Sequence, residues 1–131
     1  MPGIPRLRDF VRGMTGLAEA GAEERRWLTE GAALLRDLVA QDDWLPEEFA
    51  TPGPTYRQYL LHCDPLERFC VVSFVWGPGQ RTPVHNHTVW GLVGMLRGEE
   101  ISTEMRPNPG GAGPMLRGRV DRLRPGEVAA V

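Results

Sequence analysis

The sequence contains no lysine, only two cysteines, and no apolar run near the roughly 20 residues that a membrane helix requires. Two thiols do not make a disulfide framework, and residues 1–10 lack the apolar centre of a signal peptide, so a reducing compartment is expected. The formal charge is −2 without a basic block, which argues against a nucleic-acid partner. We therefore expect a cytoplasmic protein that engages neither membrane nor nucleic acid.

Glycine and proline are plentiful, with 16 and 12 copies in 131 residues. They are spread between apolar segments, which favours a turn-rich β protein over a helical bundle. The length suits one domain with one core, so residues 1–131 are expected to form a single domain. The sequence does not indicate an oligomeric state.

Helical periodicity is limited to the first third of the chain, in residues 4–17 and 23–40, where apolar residues recur at spacings of three and four. From Tyr56 onward the segments are short and rich in aromatic and β-branched residues. The strand candidates are residues 56–63, 68–76, 84–90, 91–97, 99–106, 115–123 and 127–131. The first two are joined at Asp64-Pro65, which predicts a turn and a hairpin there. We therefore predict a helical part over 1–50 and an antiparallel β-barrel or sandwich over 56–131.

Three histidines are present, and two of them, His85 and His87, are separated by a single residue. In a strand, residues i and i+2 face the same way, so both imidazoles would lie on one face about 6–7 Å apart at the backbone. Imidazole binds Fe, Zn, Cu and Ni. A bare pair of this kind is also compatible with two surface histidines in a polar turn.

Glycines at fixed distances surround this pair. Gly79 lies six residues before His85, and Gly98 lies eleven residues after His87. This spacing is similar to the first signature of the cupins, in which the position of Gly91 is usually a carboxylate ligand. Glycine offers no side-chain donor, so a metal held here needs its third ligand elsewhere.

The run of residues 75–94, VWGPGQRTPVHNHTVWGLVG, resembles the bacterial thiol dioxygenases of the cysteine dioxygenase family, and the similarity extends from about Tyr56 to Val131. The resemblance implies a mainly β cupin fold, an antiparallel jelly-roll barrel with an N-terminal helical layer. It also implies a non-haem Fe(II) held by three histidines, two of which map onto His85 and His87. The third belongs to a later strand. We therefore expect a C-terminally truncated barrel whose last strands and third ligand lie beyond Val131.

The resemblance further implies addition of both atoms of O2 to the sulfur of a small thiol, giving a sulfinate, within sulfur amino acid metabolism. Members that prefer cysteine carry Tyr-x-Arg where this chain has Tyr56-Arg57-Gln58. Gln58 resembles the subgroup that prefers 3-mercaptopropionate, so Gln58 and Tyr56 are the expected substrate-binding residues. Arg57 could replace Gln58 only if the strand register slipped by one residue, since neighbouring strand residues face opposite sides.

An alternative stays open. Two histidines alone hold Fe(II) weakly, so the chain could instead be a non-catalytic cupin module that binds a small molecule or serves a structural role. Mammalian members of the family crosslink a cysteine just after the histidine pair to a distant tyrosine. This chain has Gly91 near that position, and Cys63 and Cys70 both lie before the histidines, so the crosslink is expected to be absent. These two cysteines are expected to be strand residues rather than ligands.

Overall fold

The computed structural model describes residues 4–131, and its first half is helical. Helix α1 spans Ile4–Glu19. A second helical stretch combines α2 (Glu24–Arg26), one π-helical turn (Trp27–Gly31) and α3 (Ala32–Val39). Both predicted helices are thus confirmed, with ends shifted by a few residues. No helix within residues 4–131 has the length and apolar character needed to cross a bilayer.

The buried core lies in this helical layer. The apolar side chains of the two helical stretches meet in one buried cluster, which also includes two tryptophans. Each indole N–H reaches a backbone carbonyl: Trp27 Nε1 donates to Ala22 at 3.1 Å and Trp44 Nε1 to Leu38 at 2.9 Å. Burial therefore leaves neither indole nitrogen without a partner. The buried members of the cluster are Phe10, Met14, Leu17, Trp27, Leu38 and Trp44.

The second half consists of six short strands in three separate two-stranded antiparallel sheets. The strands are β1 (Arg57–Cys63), β2 (Cys70–Val75), β3 (Leu92–Gly94), β4 (Glu100–Arg106), β5 (Leu116–Leu123) and β6 (Val128–Ala130). The pairs are β1 with β2, β3 with β6, and β4 with β5. All described strand pairs are therefore antiparallel, as the sequence predicted.

A buried carboxylate closes the β1–β2 hairpin. Asp64, 2% exposed, accepts hydrogen bonds from the backbone N–H groups of Leu66 and Arg68, and the Arg68 guanidinium binds both of its oxygens. Arg68 also reaches Glu19 of α1 at 3.1 Å. The turn predicted at Asp64-Pro65 is thus confirmed, and it is tied to the helical layer by the same arginine.

Strand β3 lies directly against helix α3 because a glycine permits the approach. A Cβ atom placed on Gly94 would come within 2.9 Å of side-chain carbons of both Leu35 and Val39. A Cβ atom placed on Gly31, in the π-helical turn before α3, would likewise lie 3.2 Å from a side-chain methyl of Leu92. The β3–β6 sheet is therefore positioned by contacts that leave no room for a side chain at Gly94.

Two expectations need correction. The strand predicted over residues 84–90 does not form: that stretch is irregular and lies between the turn at 77–80 and β3. The mainly β closed barrel is not confirmed, because helices and strands take comparable shares of the chain and no barrel closes within residues 4–131. What the structure has is a helical layer with three small antiparallel sheets.

Candidate functional site

His85 and His87 lie in an exposed irregular segment, residues 81–91, here called the histidine loop. Their ring centroids are 5.1 Å apart and the rings meet edge to face. The strand alternation that predicted a shared face is absent, yet the two imidazoles are still neighbours. Both side chains are exposed, so this structure brings the pair together without burying it.

The hydrogen bond of His85 defines which nitrogen is free. Its Nδ1 lies 2.8 Å from the carbonyl oxygen of Pro83. A carbonyl only accepts, so Nδ1 carries the hydrogen, and in the neutral ring Nε2 keeps its lone pair. A backbone partner of this kind is what orients metal-binding imidazoles in proteins. His85 is therefore held in the tautomer that presents Nε2 as a donor to a metal.

The entry to the histidine loop is fixed by Gln80. Its Oε1 accepts from the backbone N–H of Gly77 at 2.6 Å, and its Nε2 donates to the carbonyl of Gly53 at 2.8 Å. The turn also requires Gly79, whose φ of 77° is in the left-handed region that favours glycine. The Gln80 side chain thus joins the turn before the histidine loop to the segment around Gly53, which precedes β1. This role of Gln80 is not predictable from the sequence, since a glutamine after a Gly-Pro-Gly turn carries no periodic signal.

The exit of the loop is attached to the helical layer and to the residue that follows the last strand, β6. The rings of Trp90 and Trp27 are 6.0 Å apart between centroids. Gly91 exchanges two backbone hydrogen bonds with Val131, at 3.0 and 2.9 Å. The loop is therefore held at both ends, while the histidines between them remain exposed.

Gln58 and Tyr56 form a second group at the start of β1. Gln58 Nε2 donates to the Tyr56 hydroxyl at 3.3 Å, and the Tyr56 ring stacks on Trp76 with centroids 4.7 Å apart and planes 16° from parallel. Arg57 points the other way, where its guanidinium lies against Gly53 and donates to the Tyr59 hydroxyl. The expectation that Gln58 and Arg57 occupy opposite faces is met.

The face of the β1–β2 hairpin that carries Gln58 is open and apolar. Register places Leu60 opposite Val72 and Gln58 opposite Phe74, and Leu60 and Phe74 are 64% and 55% exposed. We call these four residues, together with Tyr56 and Trp76, the Gln58 face. The opposite face of the hairpin packs on the core and on the segment that precedes β1. An example is the hydrogen bond that Ser73 Oγ donates to the Phe49 carbonyl.

The two groups of predicted site residues are not joined directly. Across residues 4–131, no hydrogen bond or ring contact links His85 or His87 to Tyr56 or Gln58. Two shallow hollows lie on the helical layer, and neither is lined by a residue of the histidine loop or of the Gln58 face. The structure thus keeps the predicted site residues in two separate groups, one of paired imidazoles and one of amide, phenol and indole side chains.

The donor set fits part of an imidazole-ligated metal site. Two histidines are side by side and one is oriented by its backbone partner, as a metal ligand would be. The histidine loop contains no carboxylate, and its one charged residue is Arg81. Within the described part of the chain, no three or more His, Cys, Asp or Glu side chains are grouped to hold a metal.

Compared with models of known protein families, the chain matches none.

Proposed function

We propose that this chain is an iron-dependent thiol dioxygenase with a cupin fold, acting on a small mercapto-carboxylic acid such as 3-mercaptopropionate or L-cysteine. The observation that carries the proposal is the pair of neighbouring imidazoles, one held with Nε2 free. The sequence resemblance set out above adds the expected metal, Fe(II), and the expected reaction. His85 and His87 would hold the iron.

The reaction proposed is RS⁻ + O2 → RSO2⁻. Both oxygen atoms form bonds to sulfur, the sulfur supplies all the electrons, and no other reductant or proton donor is consumed. Iron, when bound, supplies a redox-active cation at which thiolate and O2 can react. The chain's contribution is to orient the imidazoles and to place the substrate.

Placement of the substrate is assigned to the Gln58 face. The amide N–H of Gln58 can donate to a carboxylate oxygen, and the Tyr56 hydroxyl that it already contacts can do the same. The stacked ring of Trp76 limits where Tyr56 can lie. A neutral amide binds a carboxylate less strongly than a guanidinium does.

A barrel that closes over the Gln58 face would bring it next to the histidine loop. The exposed apolar side chains of this face are of the kind that normally line an interior. We propose that the Gln58 face lines the substrate site and that a third ligand completes the iron site held by His85 and His87.

Iron binding tests the histidine assignment. The protein should bind Fe(II) under anaerobic conditions, and His85→Ala or His87→Ala should lose both iron and O2 uptake. The matched control is His62→Ala. His62 lies on β1 with its ring centroid 5.5 Å from that of Phe69, and its replacement should leave iron occupancy unchanged. Normal occupancy in either loop variant would refute the assignment.

Substrate preference tests the Gln58 face separately. Gln58→Ala should lower kcat/KM for 3-mercaptopropionate by about 10- to 100-fold, the effect of losing one hydrogen bond to a charged group. Arg57→Gln is the control because Arg57 lies on the opposite face, and it should retain activity. The reverse pattern, with Arg57 essential and Gln58 dispensable, would show that the register assignment is wrong. A strong preference for cysteine would contradict the choice of substrate.

A second candidate rests on the absence of a three-donor group within residues 4–131. A non-catalytic cupin module would bind small carboxylates on the Gln58 face without iron. It predicts carboxylate binding that is unchanged in the His85→Ala variant and no O2 uptake by any form of the protein. Calorimetry with 3-mercaptopropionate, with and without Fe(II), distinguishes the two candidates.

A further inference from the structure

Cys63 and Cys70 are paired directly across the β1–β2 hairpin, and both are free and exposed. The backbone fixes the type of pair they form. Asp64 N–H donates to the Phe69 carbonyl at 3.0 Å, so positions 64 and 69 are the hydrogen-bonded pair next along the ladder. Pairs alternate along an antiparallel ladder, so the two cysteines occupy a non-hydrogen-bonded pair.

That position brings the two side chains close. In such a pair the Cα atoms are about 4.5 Å apart and the side chains project from the same face. A disulfide needs Cα atoms about 4.4–6.8 Å apart and Cβ atoms about 3.5–4.5 Å apart. The backbone therefore does not have to move far for the two sulfurs to bond.

The end of the hairpin is held rigid beside this pair. The buried Asp64 carboxylate binds Arg68 and two backbone N–H groups, and the Asp64 carbonyl accepts from Glu67 N–H at 2.8 Å. The thiol of Cys63 contacts the Asp64 carbonyl at 3.7 Å, and because a thiol is a weak donor, little is lost when it turns away. The two thiols thus stay opposite each other while remaining free to rotate.

We propose that Cys63 and Cys70 form a redox-active dithiol that closes to a cross-strand disulfide when the protein meets a low-molecular-weight disulfide. One cysteine thiolate attacks the small disulfide, forming a mixed disulfide and releasing one small thiol. The second cysteine thiolate then attacks the protein sulfur of that mixed disulfide and releases the other small thiol. The two protein thiols lose two protons and two electrons, and the small disulfide gains them as two thiols. This inference does not rest on the proposed function.

Equilibration with oxidised and reduced glutathione tests the proposal. At about 1 mM total glutathione, the closed form should exceed the singly glutathionylated form by at least about tenfold, because the second attack is intramolecular. Intact mass should show a monomer lighter by two hydrogens, peptide mapping should recover Cys63 linked to Cys70, and dithiothreitol should reverse both changes.

The matched controls are Cys63→Ser and Cys70→Ser, which should fold because both side chains are exposed. Each should stop at one stable glutathione adduct. A second probe is phenylarsine oxide, which forms a stable ring only with two adjacent thiols: the wild-type protein should bind one equivalent, and each serine variant should release it on dilution. Wild-type protein that carries two glutathiones, or that crosslinks only between molecules, would overturn the proposal.

Discussion

Among single residues, Asp64 shows most directly how one side chain can organise its surroundings. Its carboxylate is buried, accepts two backbone N–H groups and binds the Arg68 guanidinium through both oxygens. The hydrogen bond from Arg68 lowers the Asp64 pKa to about 2, and the same contact raises the pKa of Arg68. A buried carboxylate is tolerated here because every part of it is matched by a donor.

The lowered pKa of Asp64 predicts acid sensitivity. A carboxyl group whose pKa falls on folding contributes stability above its unfolded value of 3.8 and loses that contribution as pH falls toward about 2. Asp64→Asn should therefore unfold at a lower temperature than wild type at pH 6, and the difference should shrink steadily below pH 4. Circular dichroism melts across this range measure it. Glu67→Gln, an exposed carboxylate in the same turn, should track wild type throughout.

At the scale of secondary-structure elements, a glycine determines how closely the β3–β6 sheet approaches helix α3. Gly94 of β3 faces Leu35 and Val39 of α3, whereas Gly16 in α1 has nothing within 4 Å of where its Cβ would lie. Adding one methyl group to these two positions therefore has opposite consequences. At Gly94 it overpacks a close contact, and at Gly16 it removes the entropic cost of glycine in a helix.

Substitution by alanine tests this contrast. Gly94→Ala should lower the free energy of unfolding by about 1–3 kcal/mol, and Gly16→Ala should raise it by about 0.5–1 kcal/mol. Urea titrations of the two variants beside wild type give both values. Equal effects at the two positions would mean that β3 does not lie against α3 as described.

The elements also show what sequence patterns could and could not predict. The two helices and the hairpin at Asp64-Pro65 were predictable because their periodicity and turn residues are local. Residues 84–90 have the β-branched and aromatic composition of a strand, but no partner strand pairs with them and they stay irregular. The pairing of β3 with β6 joins distant segments, and no local pattern indicates it.

The candidate site was likewise only partly predictable from the sequence. The proximity of His85 and His87 was predictable from their spacing in the sequence, although the strand argument behind it was wrong. The bond from His85 to the Pro83 carbonyl and the bridge that Gln80 makes to Gly53 depend on where loops meet in space. Contacts of that kind leave no periodic trace in a sequence.

At the scale of the whole molecule, the three sheets remain separate and leave apolar side chains exposed. Leu60 and Phe74 project from the Gln58 face, and Ile101 and Val120 project from the β4–β5 hairpin. The formal net charge of −2 provides little repulsion between copies. Exposed apolar surface and weak repulsion together favour association between molecules.

This surface predicts concentration-dependent self-association of the 131-residue chain, strongest near its isoelectric point of about 5.9. The double variant Leu60→Ser/Phe74→Ser should shift the light-scattering mass toward the monomer without lowering the melting temperature, because neither side chain is buried. The control is Val71→Ser, which packs against the core and should instead lower the melting temperature. Unchanged association in the double variant would exclude the Gln58 face as the contact.

The pairing pattern of the strands also dictates the order in which the chain can acquire its structure. Two of the sheets are hairpins between consecutive strands, so they can close locally on the microsecond scale. The β3–β6 pair must wait until residues 95–127 have turned back on themselves. Because Gly91 anchors the histidine loop to Val131, the residue that follows β6, the final geometry of the loop should be reached only in the closing step of refolding.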